Sequence, residues 1–200
     1  MLTLWLGLAQ TPAWAGREPP DFRAELMASA AAQADALNAD GRFDDAIAFA
    51  ERFQKAVDPA ADVEYEVAYA YNGKGDLDAS LASYDAVISL NPHQAAARYD
   101  RGELLLVRGR DHDAEVDFEE AARLRPDHWA VHFRLAEIAG RAGDVDAFEA
   151  HLTDAIRCGF DFRTAIQDPT WHAWFHDPKL GPVLTKLVTV YGDEKLLDGL

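Results

Sequence analysis

Four glycines, Gly41, Gly75, Gly109 and Gly143, recur at intervals of 34 residues, and this period constrains the fold more than any other feature. Each opens a similar phrase: Gly41-Arg-Phe-Asp-Asp-Ala46, Gly75-Asp-Leu-Asp-Ala-Ser80, Gly109-Arg-Asp-His-Asp-Ala114 and Gly143-Asp-Val-Asp-Ala-Phe148. Apolar residues at helical spacing flank every one of them, which predicts a helix–turn–helix with glycine in the turn. A chain leaving a helix commonly passes through the left-handed region, which glycine enters without a Cβ clash. Asp44, Asp78, Asp111 and Asp144 suit the N-terminal turn of the helix that follows. The second helices run to Asp58-Pro59, Asn91-Pro92 and Arg125-Pro126, where proline forces a stop. One such hairpin cannot bury its apolar faces alone, so its neighbours must stack on it. The expected fold is an all-α solenoid of four 34-residue units over residues 27–160.

This pattern resembles the tetratricopeptide repeat, whose unit is a pair of antiparallel helices. Gly102, Gly109, Ala114, Phe118, Ala121 and Pro126 of the third unit match the family almost in full. The first unit departs from it, with Ala34 in place of the first-helix glycine and one extra residue before Pro59. Ala30, Glu64, Arg98 and His132 stand where the family usually has a tryptophan. Small residues at Ala34, Ala68, Gly102 and Ala136 face Ala46, Ser80 and Ala114, which allows close helix approach. Leu37, Tyr71, Leu105, Tyr84 and Phe118 then fill the seams. The period is lost after Phe160. Residues 161–200 read as a capping segment, with a helix from Pro182 to Tyr191 that offers Val183, Leu184, Leu187, Val188 and Tyr191 to the last open face.

The N-terminus carries a different signal. An apolar run from Leu2 to Ala9 is followed by Ala13-Trp14-Ala15, the small-x-small pattern accepted by signal peptidase. Residues 1–15 therefore read as a signal peptide and 16–26 as a linker, with a mature chain starting at Gly16 outside the cytoplasm. No Lys or Arg precedes the run, and the alternative is an apolar first helix of a cytoplasmic protein. Pro12, Pro19 and Pro20 oppose that alternative because they interrupt a helix.

Nineteen Lys and Arg against 35 Asp and Glu leave a net charge of −16. Such a field repels phosphate backbones and argues against nucleic acid as a partner. No run of apolar residues is long enough for membrane insertion. Glycine-rich phosphate loops and nucleophile elbows are absent, so no catalytic residue and no cofactor are expected. Cys158, at a helix end, reads as a buried structural thiol. His128 with His132, and His172 with His176, are four apart and could each form half of a metal site. Neither pair lies in a complete metal motif, and local packing at the start of the fourth unit and in the cap is the preferred reading.

The resemblance implies that the first helices line a concave groove where partners bind. Helical spacing puts Ala31, Asp35 and Asn38 of the first unit on that inner stripe, and Tyr65, Tyr69 and Asn72 of the second. Tyr99, Glu103 and Leu106 continue it in the third, and Phe133, Glu137 and Arg141 in the fourth. Tyr65, Tyr99 and Phe133 recur every 34 residues as an aromatic ladder, or alternatively as filler between helices. The Lys/Asn/Arg clamp with which some family members grip acidic chaperone tails is missing. The expected function is a non-catalytic adaptor that binds a protein or peptide segment of basic and apolar character. The alternatives are a metal-dependent module built on the histidine pairs and a passive subunit of an envelope complex.

Overall fold

The computed structural model describes residues 21–166, 168–192 and 194–199. Eight helices pair into four hairpins: α1 (Phe22–Ala39) with α2 (Phe43–Ala56), α3 (Ala61–Gly73) with α4 (Leu77–Leu90), α5 (Ala95–Val107) with α6 (Asp111–Leu124), and α7 (Trp129–Ala142) with α8 (Val145–Arg157). A short α9 (Phe162–Ala165), α10 (Pro169–Phe175), α11 (Leu180–Tyr191) and a 3-10 helix (Glu194–Gly199) complete the chain. The inferred export signal lies outside the described residues. The expected linker does not reach Met27, because α1 already starts at Phe22, with Asp21 accepting hydrogen bonds from the backbone of Arg23 and Ala24.

The four hairpin turns share one geometry. Gly41, Gly75, Gly109 and Gly143 have φ of 71, 76, 69 and 73°, which a Cβ would strain. The residue after each glycine donates its N–H to the carbonyl five positions back: Arg42 to Leu37, Asp76 to Tyr71, Arg110 to Leu105 and Asp144 to Ala139. This closure satisfies helix-end carbonyls that would otherwise be orphaned. Asp76 and Asp144 then cap the second helices through the N–H groups of Ala79 and Ala147. Arg42 and Arg110 cannot cap in this way, and instead pair with Asp45 and Asp113 in the first turn.

The first helices form one layer and the second helices the other. Where the layers meet, the small residues work as expected: Ala34, Ala46, Ala68, Ser80, Ala114 and Ala136 are all fully buried. A Cβ on Gly102 would lie 2.8 Å from the ring of buried Phe118, so only glycine allows that ring its place. The vacated tryptophan positions acquire a second use. Arg98 donates to the carbonyl of Pro92, and His132 meets the carbonyl of Pro126 at 3.0 Å. In both cases a polar side chain ties down the proline turn six residues upstream.

Ionic links are also periodic. Lys74 pairs with Asp44, Arg108 with Asp78 and Arg141 with Asp111, each joining one hairpin to the next along the rim of glycine turns. Deeper in, Arg101 forks onto Asp117 with two bonds of 2.7 Å and also reaches Asp85, uniting α4, α5 and α6. Asp117 is only 1% exposed, so this pair holds its place by geometry and not by surface attraction.

The C-terminal segment caps the array as a shortened fifth hairpin. Trp171 of α10 follows Glu137 by the same 34 residues that separate Glu103 from Glu137. Its ring is fully buried and stacks on Phe133 at 5.0 Å with planes 10° apart. Trp174 packs edge-on against Phe148 and closes over Gly140. In α11, Leu180, Val183, Leu184, Leu187 and Val188 are buried, whereas Tyr191 is exposed, contrary to its expected place on the apolar stripe. Phe148, which replaces the small residue of earlier units, is fully buried in this same cluster. The bulk that breaks the repeat pattern is what the cap packs against.

Candidate functional site

The inner stripe is divided between open and occupied positions. Asp35 and Asn72 are exposed, and Tyr69 is 48% exposed although aromatic. Asn38, by contrast, is buried. Its Nδ2 donates to the backbone carbonyl and the carboxylate of Glu66, both at 2.9 Å, and so ties α1 to α3. Its Oδ1 has no partner among the described residues.

The three rings expected as rungs are half-buried and pack between helices. Tyr65 meets Tyr84 edge-on at 5.8 Å and donates its hydroxyl to Asp100. Tyr99 leans on Phe118 at 5.6 Å and meets His128 edge-on at 5.4 Å. Phe133 lies beneath Trp171 and Phe160, so the cap covers the third rung. Sequence spacing fixes which helix face a ring occupies, but not how far the next helix covers it.

The charges follow the same division. Arg134 binds Glu103 through two bonds of 2.6 and 2.7 Å and Glu137 through one of 2.6 Å. Glu137 accepts a further bond from Trp171 Nε1 at 3.0 Å. Burial pulls the guanidinium pKa down, but the hydrogen bonds it donates to the two carboxylates outweigh this and raise it overall. Glu103 and Glu137 are therefore already matched by a cation from within the chain. Arg141 lies one position beyond the stripe; the position in register with Asn38, Asn72 and Leu106 is Gly140, which lies under the cap. Arg141 instead turns to Asp111 on the rim.

Two inner carboxylates have no such cation. Burial raises the pKa of Glu66 against the lowering hydrogen bond from Asn38. It likewise raises Asp100, against the Tyr65 hydroxyl. No Lys or Arg pairs with either among the described residues. Glu66, Asp100 and Arg134 share one register, 34 residues apart and one position past the rings. The stripe drawn from the sequence missed them by that single position, and widening it by one residue would have included all three.

The histidine pairs make local contacts. His128 flanks the start of α7 against Tyr99, while His132 binds the Pro126 carbonyl. His172 and His176 are exposed, with rings stacked at 5.1 Å. Among the described residues, no three His, Cys, Asp or Glu side chains converge as metal ligands. Cys158 is half-buried and not fully buried as expected; its thiol donates to the Pro126 carbonyl at 3.3 Å.

A family model described as tetratricopeptide repeat matches residues 65–123 and 112–160. The array is a tetratricopeptide-repeat array. An 85-residue segment is 35% identical to the TPR repeat-containing thioredoxin TTL4 of Arabidopsis thaliana, covering 42% of this chain and 12% of that protein. A 77-residue segment is 32% identical to the tetratricopeptide repeat and J domain-containing co-chaperone DNJ1 of Fusarium oxysporum f. sp. lycopersici, covering 38% and 15%. The matched part is thus a small fraction of these relatives. Among solved structures, MamA aligns with a TM-score of 0.66 at 19% identity, over 82% of this chain and 92% of MamA. YrrB, described as a TPR protein with an unusual peptide-binding site, aligns with a TM-score of 0.64 at 16% identity, over 84% and 89%. These similarities define the fold: an α-helical TPR solenoid, an architecture that serves as a protein-interaction module.

Proposed function

We propose that this protein is a non-catalytic adaptor that holds an extended segment of a partner against the inner face of its first three TPR units. The supporting observation is the asymmetry of that face. In the fourth unit every ring and carboxylate of the stripe is engaged by Arg134 or the cap, whereas Asp35, Tyr69 and Asn72 are exposed and no Lys or Arg pairs with Glu66 or Asp100 among the described residues. Exposed aromatic area supplies contact at low side-chain entropy cost, and unmatched carboxylates favour a basic segment. The N-terminal Ala-Trp-Ala motif further supports export and action outside the cytoplasm.

A photo-crosslinking residue at Tyr69, compared with one at exposed Val116 on the outer helix α6, tests the binding reading in the native host. Adducts with the same partner at Tyr69 and not at Val116 are expected. Tyr69→Ala should weaken binding by about 1–3 kcal/mol, as interface anchors do. Adducts at Val116 alone would move recognition to the outer face. N-terminal sequencing of the chain from the native host tests export: a start at Gly16 is expected, and an intact Met1 would overturn it.

A further inference from the structure

Between α5, the end of α6 and the start of α7 lies a cavity of about 220 Å³. Tyr99 of the inner stripe forms one wall, with Ala96 one turn before it on the same helix face. His128, Val131, Asp100 and Arg125 also line the space. We propose that this cavity is the anchor pocket for one lysine or arginine side chain of the bound segment. The inference rests on the groove reading above and adds to it the residue class recognised.

Three features select that occupant. The walls are methyl groups and aromatic edges, which suit the aliphatic stem of a long basic side chain. Tyr99 and His128 meet edge to face at 5.4 Å, so the cavity has one narrow aromatic side along which that stem can lie. Asp100 is half-buried and accepts only the neutral hydroxyls of Tyr65 and, at 3.5 Å, Tyr84. No Lys or Arg pairs with it among the described residues, and the only cation that acts on its charge is His128 when protonated, whereas Glu103, one turn further along α5, is matched by Arg134. The Glu103–Arg134 pair shows within the same molecule what this surface does with a guanidinium. An anionic or purely apolar occupant would leave Asp100 unmatched in a desolvated site.

Arg125 supplies a directional check. It is exposed, lines the cavity and forms no ion pair with any described residue. Its charge opposes a cationic occupant, so its removal should strengthen binding. An anionic occupant requires the reverse.

The test uses two nonapeptides that differ only at the centre, arginine in one and citrulline in the other, titrated into isotopically labelled full-length protein and followed by NMR. The arginine peptide should shift the amides of Ala96, Tyr99 and His128, with citrulline binding about tenfold more weakly for loss of one charged contact. Peptide at about 10 mM suffices, since a single side-chain anchor binds in the millimolar range. Ala96→Leu, at an exposed helical position, fills the cavity without disturbing Tyr65 and should abolish the shifts with unchanged melting. Arg125→Gln should tighten binding. Equal binding of the two peptides, weaker binding to Arg125→Gln, or no shift at any residue would overturn the pocket. Shifts confined to Tyr69, Asn72 and Leu106 would also overturn it while leaving the groove reading in place.

Discussion

Trp171 holds the cap to the array, and its removal should show how local the stability of a stacked fold is. The ring is fully buried and touches Phe133, Phe160, Phe148 and Trp174 with centroids 5.0 to 6.3 Å away. Trp171→Ala removes that area and leaves a cavity that four aromatic neighbours cannot refill, at a cost of about 3–5 kcal/mol. For a chain of this size, that corresponds to about 6–20 °C in melting temperature if the whole array unfolds together. Repeat arrays are coupled mainly to nearest neighbours, so the loss should concentrate in α7, α8 and α11. Trp171→Phe keeps a ring against Phe133 but loses the Nε1 bond to Glu137 and part of the buried indole area, at about 1.5–3 kcal/mol. Hydrogen exchange with thermal melting measures both effects: protection should fall from α7 onward and persist in α1 to α4. An alanine variant that melts with the parent, or a phenylalanine variant as damaged as alanine, would refute the packing argument. Lost protection spread evenly over all four units would refute the nearest-neighbour argument.

Gly102→Ala should destabilise by up to about 2 kcal/mol, because the clash with Phe118 outweighs alanine's helix propensity; a raised melting temperature would contradict the close approach. Asp100→Asn keeps an acceptor for Tyr65 and removes a charge that burial disfavours. A carboxyl raised in the folded state binds its proton more readily than in the unfolded chain, so the native protein gains stability as pH falls through that raised pKa. The variant should therefore melt above the parent at neutral pH, with the gap narrowing toward about pH 4; a variant less stable at neutral pH would be the contrary result. His151 is held neutral first by burial and then by neighbouring His132. Its depressed pKa means a contribution fully present above about pH 6.5 and lost as pH falls below it. His151→Gln should flatten that part of the stability profile, and an unchanged slope would place the titration elsewhere.

The repeating backbone was fully legible from the sequence because it depends on local chemistry. A glycine that must adopt positive φ and a proline that must end a helix act within a few residues, and their spacing survives any change in packing. The candidate site was legible only as a face. Tyr65, Tyr99 and Phe133 sit where the spacing puts them, yet their exposure depends on Asp100, His128 and Trp171, which approach from other units. Arg134 was invisible for the same reason: its role comes from a carboxylate 31 residues earlier and an indole ring 37 residues later. The cap was expected as a cover, but its likeness to a fifth hairpin was hidden by the brevity of α10. Seven residues are too few to show a period.

Three of the ion pairs between hairpins run along one rim, at the glycine turns, and the acids Asp44 and Asp78 among them are largely exposed. The proline turns of the opposite rim are tied by Arg98 and His132 to backbone carbonyls. Dissolved ions act unequally on two such edges, because screening shortens from about 8 Å at physiological ionic strength to about 3 Å at 1 M and weakens exposed charge pairs first. A ribbon slackened along one border bends, as a bimetallic strip does when one metal expands. The curvature of the array, and with it the width available to a ligand, should in this sense respond to the surrounding electrolyte.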